Sequence, residues 1–242
     1  MNSSTPRYRT LIILFLIVAL AVPVLAQDAR PGSADSAPLR VEDVYLQSAV
    51  SVETIAAQIK TGGRDIRLIA IRSIEEQINS GIVDPADPNL FDALLPAVNE
   101  GVITINHTVQ RSLHIYDPMV RREAVRVMGL LGTLEAQDKL VGIILNDPEP
   151  QVRAEALRGI GLIASDPDGE VSRAIARVIL RERATQPHQE SVLAAVNAIG
   201  SISRTPENEI HPSAREMLVH VASDGMYIQL VRKHAMLTLS QM

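Results

Sequence analysis

The side chains best suited to metal binding are scattered along this chain of 242 residues. No two of its six histidines stand three or four positions apart, the spacing that puts two ligands on one face of a helix. These histidines are His107, His114, His188, His211, His220 and His234. The absence of cysteine excludes thiolate-bound zinc, iron–sulfur clusters and thiol nucleophiles. The sequence therefore predicts no metal ion and no cofactor.

Oxygen ligands and hydroxyl nucleophiles also lack the patterns that catalysis needs. Asp166, Asp168 and Gly169 resemble the start of a calcium loop, but the bidentate glutamate that closes such a loop is missing. We interpret residues 165–170 as a capping turn ahead of a helix. The chain contains no G-x-S-x-G or S-x-x-K motif and no glycine-rich phosphate loop. We therefore expect no catalytic residue, no enzymatic activity and no small-molecule substrate.

Charge and aromatic content argue against a nucleic-acid partner. The formal net charge is -5, aromatic residues make up 2% of the chain, and tryptophan is absent. Binding to a phosphate backbone needs a basic surface, and binding to single strands needs several stacking rings. The hydrophobic fraction of 46% is consequently aliphatic and predicts a core of small side chains.

Residues 1–26 have the order of an export signal. Arg7 and Arg9 precede an apolar run, and Val24 and Ala26 occupy the small-residue positions of a cleavage site. The alternative is an uncleaved inner-membrane anchor, but about 16 apolar residues interrupted by Pro23 fall short of the roughly 20 that span a bilayer. We predict a periplasmic or secreted protein.

Cleavage after Ala26 divides the remaining chain into two parts. Residues 27–40 are rich in alanine, proline, serine and aspartate and predict a flexible leader. Residues 41–242 carry the folded domain. Removal of the signal takes away two arginines and no acidic residue, so the 23 basic residues fall to 21 against 28 acidic ones. Export therefore leaves a more acidic protein.

Internal repetition organises the folded domain. Residues 120–129 and 152–161 are identical at six of ten positions, and weaker copies occur at 66–75, 191–200 and 231–240. One alanine recurs in all five copies, at Ala70, Ala124, Ala156, Ala195 and Ala235. Each copy has helical periodicity, and in the first copy one apolar stripe is formed by Ile66, Ile69, Ala70, Ile74 and Ile78. Another amphipathic stretch precedes each copy, so the pattern predicts five helix pairs; residues 104–116 have no clear assignment.

This pattern resembles the HEAT-repeat family. The resemblance rests on two copies, Asp117-Pro118 with Val120-Arg121 and Ala124, and Asp147-Pro148 with Val152-Arg153 and Ala156. It implies an all-α fold, an α-solenoid in which helix pairs stack on one another. It also implies that Asp117, Arg121, Asp147 and Arg153 form a ladder of side chains linking successive repeats.

Four polar residues stand two positions after the repeat alanine. They are Arg72, Arg126, Arg158 and Asn197. Equivalent positions align in stacked repeats, so they predict a ridge across neighbouring helices. Arginine is enriched at interface cores, which makes this ridge the candidate binding feature. The alternative is ordinary solvated arginine.

Together these features predict an exported, bacterial periplasmic, non-catalytic scaffold that binds a protein or peptide partner of the cell envelope on its concave surface. An enzyme is the rival interpretation, because some HEAT-like proteins resemble bilin lyases and others act on alkylated DNA bases. Export and acidity argue against action on DNA, and export argues against bilin attachment, which belongs to a cytoplasmic setting. A third interpretation is a structural protein held at the inner membrane by an uncleaved N-terminus, the one case that involves a membrane.

Overall fold

The computed structural model describes residues 50–100, 117–183 and 187–242. The predicted signal peptide, the leader and residues 104–116 lie outside these ranges. The described residues form ten α-helices and no strand, which confirms the all-α prediction. The helices are α1 Val52–Thr61, α2 Arg64–Asn79, α3 Pro88–Val98, α4 Pro118–Leu130, α5 Leu134–Asn146, α6 Pro150–Ile163, α7 Glu170–Glu182, α8 Gln189–Ile202, α9 Pro212–Ser223 and α10 Gln229–Gln241.

Two helices begin where the sequence places an aspartate before a proline. The carboxylates of Asp87 and Asp117 accept backbone N–H groups in the first turns of α3 and α4. Proline is tolerated there because its missing N–H has no partner in a first turn. Asp147 differs, since it is the C-cap that follows α5, and Glu149 precedes α6. Asp166 is buried and accepts the N–H groups of residues 171 and 172, so the segment that resembles a calcium loop caps α7.

The ten helices form five consecutive pairs, α1–α2 to α9–α10. The second helices, α2, α4, α6, α8 and α10, pack side by side in chain order. This stacking of repeated pairs makes the fold an α-solenoid, as predicted. The recurrent alanine is buried in every second helix and forms part of an aliphatic core.

Small residues set the distance between neighbouring second helices. A Cβ placed on Gly129 of α4 would lie 2.6 Å from the Cα of Gly159 in α6. A Cβ on Gly161 would lie 3.1 Å from the Cα of Ala198 in α8. These glycines therefore occupy close helix–helix contacts.

The apolar stripe predicted for α2 is partly wrong. Ile66 and Ile69 are exposed, whereas Ala70, Ile71 and Ile74 are buried. The buried face of α2 is therefore rotated away from Ile66 and Ile69 and towards Ile71, because α2 packs against both α1 and α4. Within the described ranges, no helix is long and apolar enough to cross a membrane.

Candidate functional site: the row of second helices

The four ridge residues lie at equivalent positions on adjacent helices, one each on α2, α4, α6 and α8. Carboxylates from neighbouring helices pair with the arginines. Arg126 donates to both oxygens of Glu75 at 2.5 Å and also pairs with Glu123 of its own helix at 3.2 Å. Arg72 lies 3.7 Å from the same Glu123. The ridge in α2 and α4 is therefore a band of alternating charge.

The same arrangement continues on the next two helices. Arg158 of α6 pairs with Glu155 at 2.9 Å and with Glu190 of α8 at 2.5 Å. Asn197 of α8 contacts Nδ1 of His234 in α10 at 3.2 Å. Sequence analysis missed these acidic partners. A glutamate three residues before both Arg126 and Arg158 was the available signal, whereas the partners from adjacent helices require the tertiary structure.

The glutamate that bridges α2 and α4 is electrostatically held in its charged form. The hydrogen bonds from Arg126 lower the pKa of Glu75, and the charges of Arg126 and Arg72 act in the same direction. The hydrogen bond from Arg158 likewise lowers the pKa of Glu190. These arginines are thus already paired with carboxylates within the chain.

A groove of about 440 Å³ opens between the ridge arginines, across α4, α6 and α8. We call this feature the groove. Its apolar surface comes from leucines and alanines together with the glycines of the close helix contacts. Its polar edge comes from Arg126, Glu155, Arg158, Asn197 and Ser201. Small residues on adjacent helices leave the space that forms it, so no contiguous sequence motif marks the site.

A second line of charges joins the repeats at the ends of the helices. Arg67, Arg121 and Arg153 lie in the first turns of the second helices α2, α4 and α6. Each binds an acidic residue at or just after the end of the following first helix. The distances are 2.5 Å to Glu100, 2.9 Å to Asp147 and 2.6 Å to Glu182. We call these three pairs the ladder.

Two of the ladder arginines also reach the preceding linker. Arg121 donates to the carbonyl oxygen of Glu100 at 3.0 Å, and Arg153 donates to that of Asp147 at 2.8 Å. Asp117 takes no part in these pairs. It caps α4 and lies 3.1 Å from Nε of Arg64. Side chains of all four residues named for the ladder from the sequence thus contact groups outside their own helices.

Two of the described histidines cap helices. Nδ1 of His188 accepts the N–H of Ser191, and Nδ1 of His211 accepts that of Ser213, so both cap helices. Within the described ranges, no group of three histidine, aspartate or glutamate side chains could hold a metal ion. His107 and His114 lie outside those ranges.

These observations define a class, an α-solenoid with a charged ladder between repeats and a groove across its second helices. Residues 104–161 match the family model for HEAT repeats, which agrees with the repeat pattern predicted from the sequence. No curated protein matches it significantly in sequence. A similar solved structure is the complex of CpcE and CpcF of phycocyanin lyase from Nostoc sp. PCC7120. That likeness has a TM-score of 0.52 and 18% identity and covers 89% of this chain and 71% of the other.

The comparison corrects our functional prediction. We predicted a non-catalytic scaffold and no enzymatic activity, yet a solved structure with this fold belongs to a lyase, which fits the enzyme alternative better. The prediction was wrong because it equated missing motifs with missing chemistry. In a solenoid, side chains of several repeats meet on one surface, so a site leaves no local sequence pattern. The argument from export rested on residues 1–26, outside the described ranges.

Proposed function

We propose that this protein is a lyase-type HEAT-repeat subunit that binds an elongated, largely apolar carboxylate in the groove. The observation that carries the proposal is the groove itself, which combines an apolar floor with arginines at its edge. Its volume lies in the range typical of small-molecule sites. The fold shared with a lyase complex supports the same class of activity.

The groove matches such a ligand in both polarity and charge. Leu162 is 65% exposed at its edge, so an apolar ligand covers a side chain that otherwise faces water. A ligand carboxylate can share the guanidinium of Arg158, which has donors beyond those used by Glu155 and Glu190. Planar guanidinium groups are suited to this contact because they bind carboxylates through two parallel hydrogen bonds.

A lyase reaction needs a group that moves one proton. In an addition, a nucleophile X–H adds across a carbon–carbon double bond: the X–C bond forms, the π bond breaks, and the proton reaches the neighbouring carbon. Elimination reverses each of these changes. Glu155 lines the groove, and its carboxylate can take the proton from X–H and return it to carbon. Arg158 lies 2.9 Å away and orients that carboxylate.

We also propose that the protein acts with a protein partner after export. CpcE is solved in a complex with CpcF, which supports a partner protein. The signal sequence supports export, with an inner-membrane anchor as the alternative. Mass spectrometry of the mature protein tests the location: a first residue of Gln27 is expected, and an intact Met1 would overturn cleavage.

Binding is tested with biliverdin as the probe, an apolar molecule with two carboxylates. Titration followed by visible absorbance is expected to show saturable binding that Leu162→Asp weakens by about tenfold, since one buried apolar contact is worth about 1–2 kcal/mol. Leu134→Asp is the matched control, because Leu134 is 64% exposed on α5, outside the groove. Equal effects of both substitutions would refute the groove as the site.

Turnover is tested by mass spectrometry with unsaturated carboxylates and thiol or amine nucleophiles. An addition product has the summed mass of its two reactants. Glu155→Gln is expected to abolish product formation while leaving biliverdin binding within about twofold, because it removes the proton acceptor and keeps the side-chain volume. Product formed equally by the wild type and by Glu155→Gln would refute the role of Glu155.

A further inference from the structure

The last second helix, α10, exposes an apolar residue at a position that every earlier repeat buries. The residue after the repeat alanine is fully buried in four second helices: Ile71, Val125, Leu157 and Val196. In α10 this residue is Met236, which is 54% exposed. Thr238 lies against Gly200 of α8, and two residues correspond to about 200° around a helix, so Met236 lies on the side away from α8.

The repeat position that carries the close-contact glycine in earlier second helices is also exposed in α10. Five residues after the repeat alanine, three earlier second helices carry a glycine that lies against the next second helix: Gly129, Gly161 and Gly200. Ser240 holds this position in α10 and is exposed. It is four residues after Met236, so the two side chains share one face of the helix. Both the apolar and the small-residue features of a stacking surface are therefore present.

The ladder arginine of α10 adds a charge to the same face. Arg232 corresponds to Arg67, Arg121 and Arg153, each of which binds an acidic residue at or just after the end of the following first helix. Nε of Arg232 is buried without a hydrogen bond, and its guanidinium has no carboxylate partner among the residues that the structure describes. Arg232 is four residues before Met236. We call Arg232, Met236 and Ser240 the α10 face.

We propose that the α10 face docks a helix pair of HEAT type from a partner protein, whose first helix ends in an acidic residue. The apolar part of that pair covers Met236, a small residue meets Ser240, and the acidic side chain pairs with Arg232. This inference rests on the repeat register and holds whatever molecule the groove binds.

Charge distinguishes this occupant from a second copy of the chain. Among the residues that the structure describes, the first helix of a second copy would be α1, whose last turn carries Lys60 and which ends at Thr61 before Gly62 and Gly63. It offers a basic group where Arg232 needs a carboxylate. A protein with aspartate or glutamate at this position is complementary.

The surface is tested by extending the full chain at its C-terminus with a copy of residues 132–163. The extension stays in register, because α4 and α10 both end six residues after the repeat alanine, at Leu130 and Gln241. The added pair supplies a copy of Asp147 for Arg232. Peroxide oxidation of Met236, followed by peptide mass spectrometry, is expected to slow on the order of tenfold, since oxidation follows exposure. Met119, exposed on α4, serves as the internal control and keeps its rate.

Charge variants of the extended protein separate the ladder contact from simple covering. Asp147→Arg in the added copy is expected to restore rapid Met236 oxidation, and Arg232→Glu in the same protein is expected to slow it again. An added pair that gains helical circular dichroism without protecting Met236 would overturn the proposal. An added pair that stays unfolded would also overturn it, because the same segment folds between α4 and α7.

The occupant is tested on the unmodified chain by sedimentation, comparing the wild type with Met236→Glu. If the wild type and Met236→Glu both sediment as monomers, the result supports a partner protein other than a second copy of the chain. A wild-type dimer that Met236→Glu dissociates would overturn the proposal in favour of a second copy. Met236 oxidation is also compared with and without residues 27–49. An unchanged rate supports the proposal, and faster oxidation after their removal would assign the face to this segment of the chain itself.

Discussion

Replacement of Arg121 by methionine tests whether the ladder holds the repeats together. Nε and Nη2 of Arg121 lie 2.9 and 3.2 Å from the two oxygens of Asp147, in a pair of opposite charges between adjacent repeats. The exposed fraction of the side chain is 0% for Arg121 and 2% for Asp147. Arg121→Met therefore leaves a buried carboxylate without its counter-charge. The expected loss is about 3–5 kcal/mol of the free energy of unfolding.

The double variant Arg121→Met with Asp147→Leu shows whether the buried ion pair is more or less stabilising than an apolar pair. Asp147→Leu removes the remaining charge but also the acceptor of the Glu149 N–H at 2.8 Å. Arg121→Met with Asp147→Leu is expected to cost about 1–2 kcal/mol, less than Arg121→Met alone, because an apolar pair has no desolvation penalty. Urea unfolding followed by far-UV circular dichroism measures both values.

Arg158→Met is the matched control for this experiment. Arg158 also pairs with a glutamate across two repeats, but its side chain is 43% exposed and that of Glu190 is 49% exposed. An exposed pair contributes about 0–1 kcal/mol. A cost for Arg121→Met of less than about 1 kcal/mol, equal to that of Arg158→Met, would refute the argument that burial makes the ladder essential.

Two further outcomes follow from the helix contacts and the ridge. Gly129→Ala is expected to destabilise the protein by about 1–3 kcal/mol, because its Cβ would lie 2.6 Å from the Cα of Gly159. Gly142→Ala has open space around the new Cβ and is expected to stabilise the protein by about 0.5–1 kcal/mol. Equal shifts in the melting temperature of the two variants would contradict this account. The pKa of Glu75 is lowered by Arg126, so its contribution to stability is complete above the ordinary value of 4.5 and is lost as the pH falls through the lowered value. Urea unfolding across this range is expected to show a wild-type advantage over Glu75→Gln that shrinks with falling pH, and an advantage independent of pH would contradict the ion pair.

Local patterns were sufficient to predict the helices and their repeat. The alanine that recurs from Ala70 to Ala235 is buried at every occurrence, since periodicity and small residues act within one helix and its immediate neighbours. The same register predicted that Arg126, Arg158 and Asn197 would align on adjacent helices. Local periodicity failed for Ile66 and Ile69, because the direction from which α1 and α4 approach α2 decides which face is buried.

The sequence by itself determined the all-α class, the five pairs, the aliphatic core and the positions that repeat. Only the tertiary structure decided which charges meet: Glu75 reaches Arg126 across 51 residues of chain, and Asp147 reaches Arg121 across 26. It also created the groove, whose lining comes from three helices, and revealed that Met236 is exposed where its counterparts are buried. Periodicity specifies each helix through interactions between near neighbours. Pairing and exposure depend on how whole helices stack, and no segment of the sequence encodes that alone.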